Sequence, residues 1–161
     1  MSTAAVQAPS NTDFASLTFE QKLDRLAEVA VKIGLGLRAG QEVVMSAPIE
    51  ALPLVRRITE HAYKAGALLV TTLYSDDPSI LARYQYGPNA SFDFAPVWLH
   101  DGIAAAFKSG AARLGIAGAN PALLSGQDPA KVARANVALS KAAKPAMELV
   151  TRHEINWSIV A

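Results

Sequence analysis

Apolar and polar positions alternate along this chain in a pattern that predicts helices and short strands in turn. Thr18 and Gln21 stand at capping-box spacing, where a hydroxyl and a side-chain amide satisfy orphan N–H groups of a helix start. Leu23, Leu26, Ala30, Ile33 and Leu37 then recur at helical steps and predict one buried face, stopped by Gly34 and Gly36. Arg38-Ala39-Gly40 reads as the turn out. Val43-Val44-Met45, closed by Pro48, predicts a strand, and Ala51, Leu54, Val55, Ile58, Ala62 and Ala65 predict a second helix stopped by Gly66. The run from Ala67 to Tyr74 is apolar on both faces, which suits a central parallel strand covered on both sides.

Asp76, Asp77 and Pro78 predict the capped start of a helix reaching about Tyr86, broken by Gly87 and Pro88. Pro96 opens another helix, with Val97, Ile103, Ala104 and Phe107 inward and Gly110 at its end. Arg113 to Ala117 reads as a third strand, and Asn120-Pro121 as a short turn of helix. Asp128-Pro129 caps a last long helix that Pro145 is expected to kink or divide. Ile155 to Val160 reads as a fourth strand. Strands separated by helical segments imply crossovers and a parallel sheet. The expected fold class is therefore α/β: an open, mostly parallel sheet of four or slightly more strands, helices on both faces, Rossmann- or flavodoxin-like in shape. The last strand looks central and runs to Ala161, so the sequence reads as cut at a domain boundary.

Composition changes this picture little. The 161 residues are 51% hydrophobic and 18% charged, enough for one domain with a real core. No apolar stretch approaches the roughly 20 residues of a membrane span. A formal net charge of +1 argues neither for nucleic acid nor for an acidic membrane surface. With no cysteine, disulfides, thiolate nucleophiles and cysteine-ligated metals are excluded. Residues 1–16 are expected to be a disordered N-terminal tail, without the features of a secretory signal or presequence, and 17–161 a single domain of a cytoplasmic protein.

Candidate chemistry belongs beyond the carboxyl ends of the strands. After the first strand, Ser46-Ala47-Pro48-Ile49-Glu50 lacks the glycines and free N–H groups of a phosphate loop, and Glu50 repels anions. Ser75, Asp76 and Asp77 have the composition of a Mg²⁺ site, but an N-cap with first-turn proline accounts for them more simply. Gly118-Ala119-Asn120-Pro121 supplies backbone and one amide, with Asn120 as a cap. His61 is expected on the polar side of its helix, and neither it nor His100 nor His153 has a ligand partner at helical spacing. Lys131, Arg134, Lys141 and Lys144 read as a solvated helix face, and Trp98 and Trp157 as packing residues. No nucleophile elbow, zinc-binding helix motif or paired catalytic carboxylates occur.

The residues themselves carry a resemblance. Leu23 to Leu35, Gly40-Gln41-Glu42-Val43-Val44, Ala47-Pro48-Ile49-Glu50-Ala51, Ala62 to Ala67, Ile116 to Leu124 and Asn156 to Ala161 together resemble the start of the thermophilic metalloprotease family of aminopeptidases (the T and S types). The resemblance runs in register over roughly residues 17 to 161. It implies a metal-dependent exopeptidase, a hydrolase removing N-terminal amino acids from peptides with a pair of divalent ions (Zn, Co or Mg). In that family the metal ligands and catalytic groups lie in a C-terminal domain. This chain matches the N-terminal, non-catalytic domain, which helps form a closed homodimer. No catalytic, cofactor-binding or metal residue is therefore carried onto this sequence, and the chain alone is expected to be inactive. Its implied partners are its own C-terminal catalytic domain, a second copy and peptide substrates, with no nucleic acid and no membrane. Two other readings stay open: a standalone small-ligand module binding near Ser46, Ser75 and Gly118, and a structural or oligomerisation domain.

Overall fold

The computed structural model describes residues 15–118 and 120–161. The expected tail falls almost wholly outside them. At the first helix, α1 (Phe19–Val29), the capping box forms: Gln21 N–H donates to the Thr18 hydroxyl at 3.2 Å and Thr18 N–H to the Gln21 amide oxygen at 2.8 Å. The helix then widens into a π-type turn over Ala30–Leu35, which Gly36 ends at φ 60, a left-handed position that suits glycine. Widening rotates the inward face. Ala27, Val31 and Leu35 are buried, whereas Ile33, expected inward, is 76% exposed. Gly34, read above as a stop, is instead a point of close approach. A Cβ there would lie 2.9 Å from the Ser158 hydroxyl oxygen on the last strand.

Strand β1 (Glu42–Pro48) leads through a short 3₁₀ turn into α2 (Leu52–Lys64), and β2 (Leu69–Ser75) follows. Next come α3 (Asp77–Tyr86), a 3₁₀ segment at Asn89–Asp93, α4 (Val97–Lys108) and β3 (Ala112–Ile116). The chain finishes with α5 (Pro129–Thr151) and β4 (Trp157–Val160). The segment after Asn120-Pro121 is a series of turns rather than a helical turn. Pro145 neither divides nor ends α5, which runs unbroken across it. One missing N–H donor is tolerated inside 23 residues because the packed alanines Ala142 and Ala146 hold the flanking turns in place.

All four strands are parallel, in the order β2-β1-β3-β4, the order that begins the flavodoxin-like doubly wound arrangement. The α/β parallel sheet expected from the sequence is therefore present. Its centre is elsewhere, however. The run around β2, apolar on both faces, lies at one edge, with Leu68, Leu69 and Tyr74 exposed, and β4 lies at the other edge. The central strands are β1 and β3.

Val43, Met45, Leu114 and Val160 face α1 and α2 and form the main core with Val31 and Ile58. On the opposite face Val44 meets a second core built from Phe107, Ala111, Ala146 and Val150 of α4, α5 and their flanks. A third cluster joins Tyr84, Phe92 and Ala135, with the two rings 5.1 Å apart. Among the described residues no helix is long and apolar enough to cross a membrane.

Candidate functional site

The chain passes from β1 outward to β2, then back across β1 to β3, so the crossover direction reverses between β1 and β3. At such a switch point the loops leaving two adjacent strand ends part and open a crevice. Here it is open to solvent, about 330 Å³, and lined by Ser46, Pro48, Ser75, Ile116, Ala117 and Gly118, with Ala47 on its floor. The three positions expected near a ligand from sequence, Ser46, Ser75 and Gly118, do converge there. Chemically the crevice is sparse. Two hydroxyls and backbone groups supply all of its polarity, and no lining residue is acidic, basic or a histidine. A hydroxyl without an adjacent base is a poor nucleophile.

The carboxylates beside it are occupied structurally. Asp76 caps α3, accepting from the Ser79 backbone N–H at 3.0 Å, and Asp77 accepts from the Asn120 N–H at 3.4 Å. Asn120 in turn caps its own turn through Ala122 N–H at 2.9 Å. The contacts of Asp76 and Asn120 are caps, whereas Asp77 ties the start of α3 to the turn at Asn120.

The histidines do not meet. His61 differs from its expected polar-side position: it is wedged between α1 and α2, its Nε2 3.0 Å from Asp24 Oδ1. His100 lies on α4 in a separate cleft under the sheet, and His153 follows α5 at φ 56. Among the described residues no three His, Asp or Glu side chains gather in a way that could hold a metal ion. The pair of divalent ions implied by the family resemblance therefore does not fit the donors present here.

The basic residues of α5 are not a uniform stripe. Lys131 sits 5.4 Å from the centre of the Phe92 ring, and Lys144 faces Glu148 at 3.9 Å. Arg134 donates from Nε to Asp93 at 2.8 Å, and from its other nitrogens to Asp93 and to the side chain and carbonyl of Asn89. It thus pins the Asn89–Asp93 turn to α5. The hydrogen bond from Arg134, and its charge, hold the Asp93 carboxyl below its usual range, with desolvation opposing. The folded chain then binds that proton less tightly than the unfolded chain does. The resulting stability is present above pH ~4 and is lost as pH falls through the lowered value. We expect Asp93→Asn to lower the melting temperature at pH 7 and the deficit to close on acidification. A deficit unchanged at pH 2 would contradict this origin.

Neither tryptophan is a core residue: Trp98 is 77% exposed and Trp157 partly so. What the sequence did not reveal is a polar node linking elements far apart in the chain. Gln41, the one buried polar residue among those described, donates to the Gly110 carbonyl at 2.7 Å and to Asn156 Oδ1 at 2.6 Å. Asn156 returns a hydrogen bond to Gln41 Oε1 at 3.2 Å and also reaches the Leu35 carbonyl at 3.0 Å. Its only trace in the sequence is that Gln41 and Asn156 both lie in segments carrying the family resemblance.

Comparison with known proteins places this architecture. The pattern of the thermophilic metalloprotease (M29) family matches residues 19–161. Aminopeptidase T of Thermus thermophilus is 46% identical over 142 residues, which are 88% of this chain and 35% of that protein. Aminopeptidase AmpS of Bacillus subtilis is 33% identical over 143 residues, 89% of this chain and again 35% of its own length. The solved structure of wild-type AmpT from Thermus thermophilus superposes with a TM-score of 0.86 at 45% identity, covering 89% of this chain and 36% of that one. The chain thus spans about a third of the length of the curated relatives it matches. On sequence and fold together, this chain belongs to the thermophilic metalloprotease family.

Proposed function

We propose that this chain is the N-terminal, non-catalytic α/β domain of a metal-dependent aminopeptidase. The divalent ions and the acid–base groups are supplied by the part of the relatives' length that it does not span. The observation that carries this reading is a mismatch. The relatives are named as aminopeptidases, yet this chain matches only 35% of their length, and no group of three potential metal donors assembles among the described residues. The strand-end crevice offers no general base either. In this reading the substrates are peptides, the whole protein acts in the cytoplasm, and the domain shapes access to a catalytic centre and pairs with a second copy. Phe94 and Trp98, four residues apart and 70% and 77% exposed around the start of α4, support a role in packing against further protein. Calorimetric titration of the 161-residue chain with Zn²⁺ or Co²⁺ tests the assignment of the metals. No saturable, stoichiometric heat is expected, and two well-defined sites would contradict it.

A further inference from the structure

Beneath the strand ends, on the face of the sheet covered by α4 and α5, lies a second cavity of about 190 Å³. Its walls are mostly apolar: Val44, Leu73, Ile103, Phe107, Ala146 and Met147. Three polar side chains enter it from different elements, Ser46 from β1, Arg113 from β3 and His100 from α4. None of the three makes a side-chain hydrogen bond or ion pair among the described residues, whereas Arg134 and Arg83 elsewhere each make two or more side-chain hydrogen bonds. An arginine in the middle of a central strand, half-covered and unpaired, is unusual, because an unpaired charge near the interior is costly.

The space between these groups is kept open by Gly115. A Cβ at that position would stand 3.7 Å from the Ser46 hydroxyl oxygen and 3.9 Å from an Arg113 guanidinium nitrogen. Arg113 presents a planar fork suited to a carboxylate, Ser46 adds a hydroxyl beside it, and His100 lines the same cavity. No acidic residue lines this cavity. The cavity continues along β1 and β2 into a neighbouring lobe that shares Val44, Leu73 and Ile103 and reaches Trp98. That lobe ends at Glu42, four strand residues or about 13 Å from Ser46, where a second anionic group would be repelled.

We propose that this cavity is a binding site for a small monocarboxylate with an apolar tail. The carboxylate sits between Arg113, Ser46 and His100, and the tail lies along Val44, Leu73 and Ile103. The volume suits it, since cavities of roughly 150 Å³ accommodate a benzene-sized body. The proposal rests on the cavity alone and does not depend on the aminopeptidase reading.

Isothermal titration of the 161-residue chain with 4-methylpentanoate tests it, with acetate and 4-methylpentan-1-ol as probes lacking the tail and the charge. Saturable one-site binding of 4-methylpentanoate is expected, about tenfold or more tighter than either comparison probe. Arg113→Met, which keeps the aliphatic stem, should weaken it about tenfold or more, and Arg113→Lys less. Should Arg113→Met not fold, Gly115→Ala serves, because its methyl meets only ordinary contacts yet occupies the space between Ser46 and Arg113. Equal binding of the alcohol would reduce the site to an apolar cleft, and equal binding of acetate to a surface anion site. Either result, undiminished binding in the variants, or no binding at all would overturn the proposal.

Discussion

Replacing Gln41 with leucine should cost this domain about 3 kcal/mol of stability, a large share of the ~5–15 kcal/mol typical of a folded domain. The reasoning starts from what the side chain holds. Its amide donates to the Gly110 carbonyl and to Asn156, accepts from Asn156, and accepts from the Arg38 backbone N–H at 3.3 Å. These partners come from the turn before β1, the end of α4 and the start of β4, and Asn156 extends the node to the end of the first helix at Leu35. Leucine fills a similar volume but leaves the Gly110 carbonyl and the Asn156 amide without their partner in a part-buried position. Each such group costs about 1–3 kcal/mol, and mutual polarisation in a reciprocal amide pair adds to this. Denaturant unfolding at neutral pH measures the loss. The Gln41→Leu/Asn156→Leu double variant should lose less than the sum of the two single losses, because the second change removes a group the first has already orphaned. Additive losses would show that the two amides act separately.

That node also shows how far the sequence could be read. Where a signal is local, it was legible. The Thr18–Gln21 capping box, the Asp76 cap and the alternation of strands and helices all depend on neighbours within a few residues, and each is present. Where the deciding partner is distant, local pattern misleads. The stretch from Ala67 to Tyr74 is apolar enough for a central strand, yet strand order depends on which way each crossover runs, and β2 ends at an edge. The inward face of the first helix shifted because a π-type turn changes the rotation per residue, so Ile33 points outward and Val31 inward. Pro145 marks a helix break only if no packing opposes it. Arg134 read as one member of a basic face because its partners, Asn89 and Asp93, lie more than 40 residues away.

The candidate sites follow the same rule. Ser46, Ser75 and Gly118 were identifiable because strand ends are predictable positions. Arg113 was not, because it shares a cavity with Ser46 of β1 and His100 of α4, both outside its own element. No periodicity encodes that.

If the proposed assignment is right, catalysis belongs to the part of the relatives' length that this chain does not span. Aminopeptidase chemistry needs a metal-activated water or its equivalent, and a general base near the scissile bond. In the proposed assignment these groups lie outside the third of the relatives' length that this chain matches. Enzymes commonly exceed the uncatalysed rate by ~10⁶-fold or more, so activity and inactivity are widely separated outcomes. The direct measurement is release of p-nitroaniline from leucine p-nitroanilide by the purified 161-residue chain, with Co²⁺ or Zn²⁺ added. The expected rate is that of metal-containing buffer alone. Turnover that scales with protein concentration and survives a second purification would contradict it.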